Sequence, residues 1–149
     1  MLNRLSQAPR SRPAAAAVEF AVVAPVLMLL VFGSIDFGRA IMVLDLLSHA
    51  ARTGCRTGAL AGNGNNEINS AVSTSLTIAG ISGAPNPAID VLPQRSTAWV
   101  SPGDAGAAAK GDAVRVTVSI KYTEVTWLTF NWFMDPDATL SSSVVMSKE

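Results

Sequence analysis

The sequence predicts an α+β chain: a long amino-terminal helix, apolar in its first half and amphipathic in its second, packed on a small antiparallel sheet. Three observations predict it. A run from Ala14 to Ile35 is apolar but for one acid, Glu19. Apolar residues then recur at three- and four-residue steps through Ile41, Leu44, Leu47, Ala51 and Cys55. Near the carboxyl end, GDAVRVTVSIKY alternates apolar and polar side chains.

The chain has 149 residues, a formal net charge of zero and a mean hydropathy of +0.34. That length suits one domain beside the apolar run. The eleven basic residues form no long run and no aromatic-interleaved patch, so nothing points to nucleic acid. The one cysteine, Cys55, excludes an intrachain disulfide, and the one histidine, His49, excludes a multi-histidine metal site.

Ala14 to Ile35, roughly 22 residues, makes a helix about 33 Å long. A bilayer's hydrocarbon core is about 30 Å thick. A cleaved secretory signal has a shorter apolar core and a small-residue cleavage site after it, so a retained anchor is expected here. Arg4, Arg10 and Arg12 precede the span with no acid among them, and charges of both signs follow it. The short tail before the span favours a cytoplasmic amino terminus and an extracytoplasmic remainder in the inner membrane. Pro25 lies inside the span, where proline is better tolerated than in water. Ala14, Ala17, Ala21 and Ala24 share one helical face. Such a face admits a second helix closely, although alanine is also simply a good helix former.

Glu19 has two readings. Its carboxylate reaches the cytoplasmic interface, or it pairs with a cation also held in the membrane. A lone charge deep in the bilayer costs roughly 2.5–3.5 kcal/mol on insertion scales.

Past Ile35 the helix continues to the turn-forming glycines and asparagines between Gly58 and Asn66. Asp36–Arg39 and Asp45–His49 have pairing spacings worth about 0.2–0.5 kcal/mol each. The face with Asp45, His49, Arg52 and Arg56 reads as a solvated side or a subunit contact. Cys55 reads as a small core residue facing the sheet.

A second helix is expected with Asn66 as its cap, Ile68, Val72, Leu76 and Ala79 as its stripe, and Gly80 as its stop. Gly83 to Pro87 reads as a linker. Ile89 and Val91 suggest a strand, and Ala98 to Val100 a possible further one. Ser101 to Gly111 reads as a loop. Ala113 to Tyr122 is the clearest strand, and Leu140, Ser142, Val144 and Met146 mark a last one. A meander of three or four strands on the long helix follows. Between the last two strands lie Trp127, Phe130, Trp132 and Phe133, either closing the core or exposed as an interaction patch.

Catalytic signatures are missing: there is no phosphate loop and no nucleophile elbow. Asp104, Asp112, Asp135 and Asp137 can be read as acid pairs, but the Asp135-Pro136-Asp137 group suits a turn. No enzyme activity, cofactor or small-molecule substrate is expected.

AAAVEFAVVAPVLMLLVFGSIDFGRA followed by AARTGCRTGA resembles the TadE-like family of pilus-assembly proteins, minor pseudopilins of tight-adherence (Flp-type) pili. The likeness is strong from about Arg12 to Ala61 and only stylistic in the carboxyl half. It implies a type IV pilin-like fold, with a cytoplasmic leader at 1–14, a transmembrane helix at 15–35, its amphipathic continuation at 36–62 and an extracytoplasmic α+β domain at 63–149. It implies a cut by a prepilin peptidase between Ala14 and Ala15, with Glu19 then the fifth residue. Ala14 stands where the family usually has glycine. Glu19 would neutralise the new amino terminus of a neighbouring subunit, and Ala17, Ala21, Ala24 and Pro25 would pack against other pilins or pseudopilins of the same system. The alternative is an uncut single-pass envelope protein whose outer domain is a binding module.

Overall fold

The computed structural model describes residues 12–81, 86–125 and 138–149. Its elements are α1 (Arg12–Ala59), α2 (Asn65–Ile78), β1 (Ala88–Leu92), β2 (Ala113–Lys121), a 3-10 turn (Tyr122–Glu124) and β3 (Thr139–Ser147). The α+β expectation holds. The chain forms two compact units that divide between Ile35 and Asp36.

The first unit is the amino-terminal part of α1. Its most apolar stretch has a mean hydropathy of 2.4, and none of it is buried. Val18, Phe20, Val22, Val26 and Leu30 are each more than half exposed. The helix passes through Pro25.

The second unit is built on the rest of α1. The sheet has the order β1-β2-β3 and is antiparallel throughout. The alternation in β2 buries Val114, Val116, Val118 and Ile120, while Arg115, Thr117 and Ser119 are half-buried on the other face. Val116 faces Val144, and Val114 faces Met146 across the β2–β3 ladder. Tyr122 leaves the strand and begins the 3-10 turn. Val100 forms a single two-way bridge with Val91 rather than a strand. Pro102, which has no N–H, follows, and Gly103 then donates to Ile89 O at 2.7 Å. A Cβ on Gly103 would lie 2.5 Å from Val91 N, so only glycine lets the loop lie this close to β1.

α1 turns a different face to the core than its most apolar residues indicate. Leu47, Ala51 and Cys55 are buried as expected, but Ile41 is 51% and Leu44 37% exposed. Ala40, Val43 and Ala50 are buried instead. The reason is close packing. A Cβ on Gly54 would lie 2.5 Å from Val72 Cγ2, and one on Gly58 2.6 Å from Ile68 Cδ1. α2 therefore crosses the smallest face of α1, and the larger side chains are turned away.

Helix α2 buries Ile68, Val72 and Leu76. Its cap is Gly64 rather than Asn66. The Gly64 N–H donates to Glu67 Oε2 at 2.9 Å, which holds the Glu67 carboxyl below its usual range. Asn65, at the head of the helix, ties down the loop instead: it donates to Gly103 O and accepts from Ala105 N.

Lys148 is buried, and its ammonium donates to three carbonyls: Ala105 O at 2.6 Å, Asn63 O at 3.0 Å and Gly58 O at 3.3 Å. Gly58 lies in the last turn of α1, where carbonyls lack helical partners and a cation is favoured. The Glu149 N–H donates to Ala59 O beside it. The chain after β3 thus closes the end of α1 against both loops.

Two predictions follow from this packing. Gly54→Ala should destabilise the chain by about 1–3 kcal/mol through overpacking. Gly38→Ala, with nothing within 4 Å of its added Cβ, should stabilise the helix by about 0.5–1 kcal/mol. Urea unfolding of the detergent-solubilised chain reads both, and equal effects at the two sites would refute the close α1–α2 contact. Lys148→Met should cost about 1.5–3 kcal/mol, because three buried carbonyls lose a charged donor. An unchanged melting temperature would refute that role.

Candidate membrane and assembly surface

The sequence-predicted site residues in the described chain lie on the first turns of α1. Ala14, Ala15, Ala17, Glu19 and Ala21 are exposed, and Ala24 is half-buried. At about 100° per residue, Ala17, Ala21, Ala24 and Pro25 share one side of the helix, while Glu19 points away from it. Among the described residues Glu19 has neither an ion-pair nor a hydrogen-bond partner. The arrangement therefore offers a smooth small-residue face and, on another side, a carboxylate whose partner must come from water or another molecule. Trp127, Phe130, Trp132 and Phe133 lie outside the described residues.

On the continuation of α1, Asp45 and His49 make no ion pair with each other; both are exposed. Asp36 accepts a hydrogen bond from the Tyr122 hydroxyl. That contact joins α1, at the end of the charge-poor run, to the end of β2. The Cys55 thiol lies under the β2–β3 ladder, within 3.2 Å of Val114 O and 3.4 Å of Val144 O. Burial raises its pKa, partly offset by the Met146 and Val116 backbone groups. A thiol kept protonated in a dry core is a poor nucleophile.

Asp104 and Asp112 serve turns, Asp90 pairs with Arg115, and Asp135 and Asp137 lie outside the described residues. Asp112 accepts from the Gln94 and Ala109 N–H groups, and Asp104 from that of Gly106. Among the described residues no cluster of His, Cys, Asp and Glu could hold a metal. Between α1 and α2 there is an open groove lined by Thr53, Glu67, Ser70, Ala71 and Thr74.

Sequence reading missed Lys148, the Asp36–Tyr122 contact and the Gly54/Gly58 pair. Only the pair had a signal in advance, the four-residue spacing of glycines on one helical face. The other two join residues 43 to 90 positions apart and have no local signature.

A helix long and apolar enough to cross a membrane, continuous in sequence with a small α+β domain, defines the class of protein. Within that class, residues 14–56 match the family model described as TadE-like protein, which confirms the resemblance read from the sequence. The match covers α1 nearly to its end and stops before α2. That family points to a pilus-associated protein with an amino-terminal anchor. No curated protein and no solved structure matches the chain.

In the folded chain Cys55 should resist a thiol reagent such as DTNB at pH 8 and react fully once denaturant is added. Rapid labelling of the native protein would show the thiol is not held in the core.

Proposed function

We propose that this chain is a minor pseudopilin of a tight-adherence (Flp-type) pilus, held in the inner membrane by α1 and matured by a prepilin peptidase. The observation that carries the proposal is the TadE-like match, which begins at Ala14, beside the proposed cut. The uniformly exposed apolar surface of α1 between Val18 and Ile35 supports it, since lipid or other helices must cover that surface.

The reaction is done to the chain and not by it. Hydrolysis of the Ala14–Ala15 amide leaves an α-amino group on Ala15, charged at neutral pH. Glu19 lies four residues further on, about 6 Å along the helix axis. A neighbouring copy or another pseudopilin, shifted by one turn, brings its amino terminus to that carboxylate. The pair fixes axial register while adding little net energy, because removing both charges from water offsets their attraction. The alanine side of α1 accommodates a second neighbour. Basic residues before the span keep the leader on the cytoplasmic side, where the peptidase works, and the α+β domain lies outside. The domain is structural, not catalytic, and its partners are proteins of the same pilus.

A second reading rests on Ala14. With alanine in place of glycine before the cut, the chain stays whole and serves as a single-pass envelope protein whose outer domain binds a partner.

Mass spectrometry of the chain purified from its own host distinguishes the two. A mature chain beginning at Ala15 is expected; one beginning at Met1 or Leu2 overturns the processing and leaves the second reading. Glu19→Ala should insert normally and abolish pilus assembly or subunit pairing. Wild-type pili from that variant would eliminate the charge-pair role.

A further inference from the structure

The charge-free part of α1 is too short for the bilayer. Between Glu19 and Asp36 lie roughly 16 residues, about 24 Å of helix, against a hydrocarbon core of about 30 Å. One of the two acids must therefore sit at or inside the acyl boundary in a subunit that has no assembly partner. Glu19 brings no partner of its own among the described residues. Asp36 does, because the Tyr122 hydroxyl donates to it from the folded domain. A carboxylate already hydrogen-bonded is the cheaper one to take out of water.

Exposure along α1 points the same way. Large apolar side chains stay exposed past Ile35: Phe37 at 64%, Ile41 at 51%, Met42 at 62% and Leu44 at 37%. From Asp45 onward the exposed positions turn polar, with His49, Arg52, Thr53 and Arg56. Exposed Arg39 apart, the apolar-to-polar switch on the outer surface of the helix thus falls at Leu44/Asp45, not at Ile35/Asp36. Phe37, Ile41 and Leu44 lie on one side of the helix and Met42 on another, while Ala40 and Val43 face the core. A single helical partner would cover one stripe; lipid covers every side that the core leaves free.

We infer that in the unassembled subunit α1 is drawn about three residues deeper into the bilayer from its outer end than the charge pattern implies. Glu19 lies at the inner surface, the outer acyl boundary falls near Arg39 with Phe37 just inside it, and Ala40 to Leu44 cross the outer leaflet's interfacial layer. Some 20 residues from Phe20 give the required length of about 30 Å. The headgroup layer adds about 5–7 Å, which reaches Met42 and ends close to Leu44. Tyr122 then lies at interfacial depth, where tyrosine is favoured, and exposed Lys121 beside it supplies a cation for lipid phosphates. The inference rests on the membrane reading of α1 but not on peptidase processing.

Spin labels at positions 27, 37, 41, 44 and 49 test it, on the full chain with Cys55→Ala, in phosphatidylcholine vesicles. The measurement is power saturation with oxygen against a water-soluble nickel chelate. Oxygen accessibility should exceed nickel accessibility at 27, 37 and 41, the two should meet near 44, and nickel should dominate at 49. Nickel dominance already at 37 and 41 would put the boundary at Ile35 and overturn the inference. Exclusion of both reagents at 37 and 41, with spin–spin broadening, would also overturn it, by showing a second copy on that surface. Nickel dominance at 27 as well would instead mean that α1 does not span the bilayer. If Cys55→Ala fails to fold, the same labels on the Cys55 chain give the reading, because that thiol is buried.

Discussion

One helix has to carry two different surfaces. The first half of α1 presents large apolar side chains on all sides and has no core of its own to bury them. The second half buries one face in a protein core. Both demands fall on a single run of backbone hydrogen bonds, so the sequence must change its logic without breaking the helix. It does so by changing side-chain size and pattern: Val, Leu and Phe all round where lipid can cover them, then a narrow line of Ala, Gly, Cys and Leu where protein does.

That narrow line determines the rest of the α+β domain. Gly54 and Gly58 let α2 approach within van der Waals contact of the α1 backbone, and Cys55 reaches the backbone of the β2–β3 ladder. Close packing of small residues recovers in dispersion contacts what they lack in apolar area. The price is that few side chains remain to hold the end of the helix, and Lys148 fills that role with its three carbonyls. A surface-type residue is buried there because the end of a helix presents unpaired oxygens that an ammonium satisfies.

Much of the fold was legible in the sequence. The strict alternation from Ala113 to Lys121 located β2 and its buried face, and the 3.6-residue stripe Ile68–Val72–Leu76 located α2. Turn chemistry between Gly58 and Asn66 ended α1 where the structure ends it. Single-residue assignments were weaker. Asn66 was expected to cap α2, but Gly64 does, because Glu67 reaches back to its N–H. Ala98 to Val100 was a possible strand, but only Val100 pairs. Such details depend on which backbone groups meet in space, and local preference records only what each residue tolerates.

The sequence alone determined the membrane-length helix, the acid at Glu19, the α+β class and the TadE-like resemblance. Each is a property of local composition, period or motif, and those survive without knowledge of what the chain folds against. Tertiary structure decided which side of α1 is the core side, that Asp36 meets Tyr122 rather than only its helical neighbours, and that Lys148 is inside. Hydrophobicity ranks Ile41 and Leu44 above Ala40 and Ala50, yet the inner place goes to the smaller residues. A buried face is selected by how closely two elements can approach, and that distance is set by the partner as much as by the helix itself.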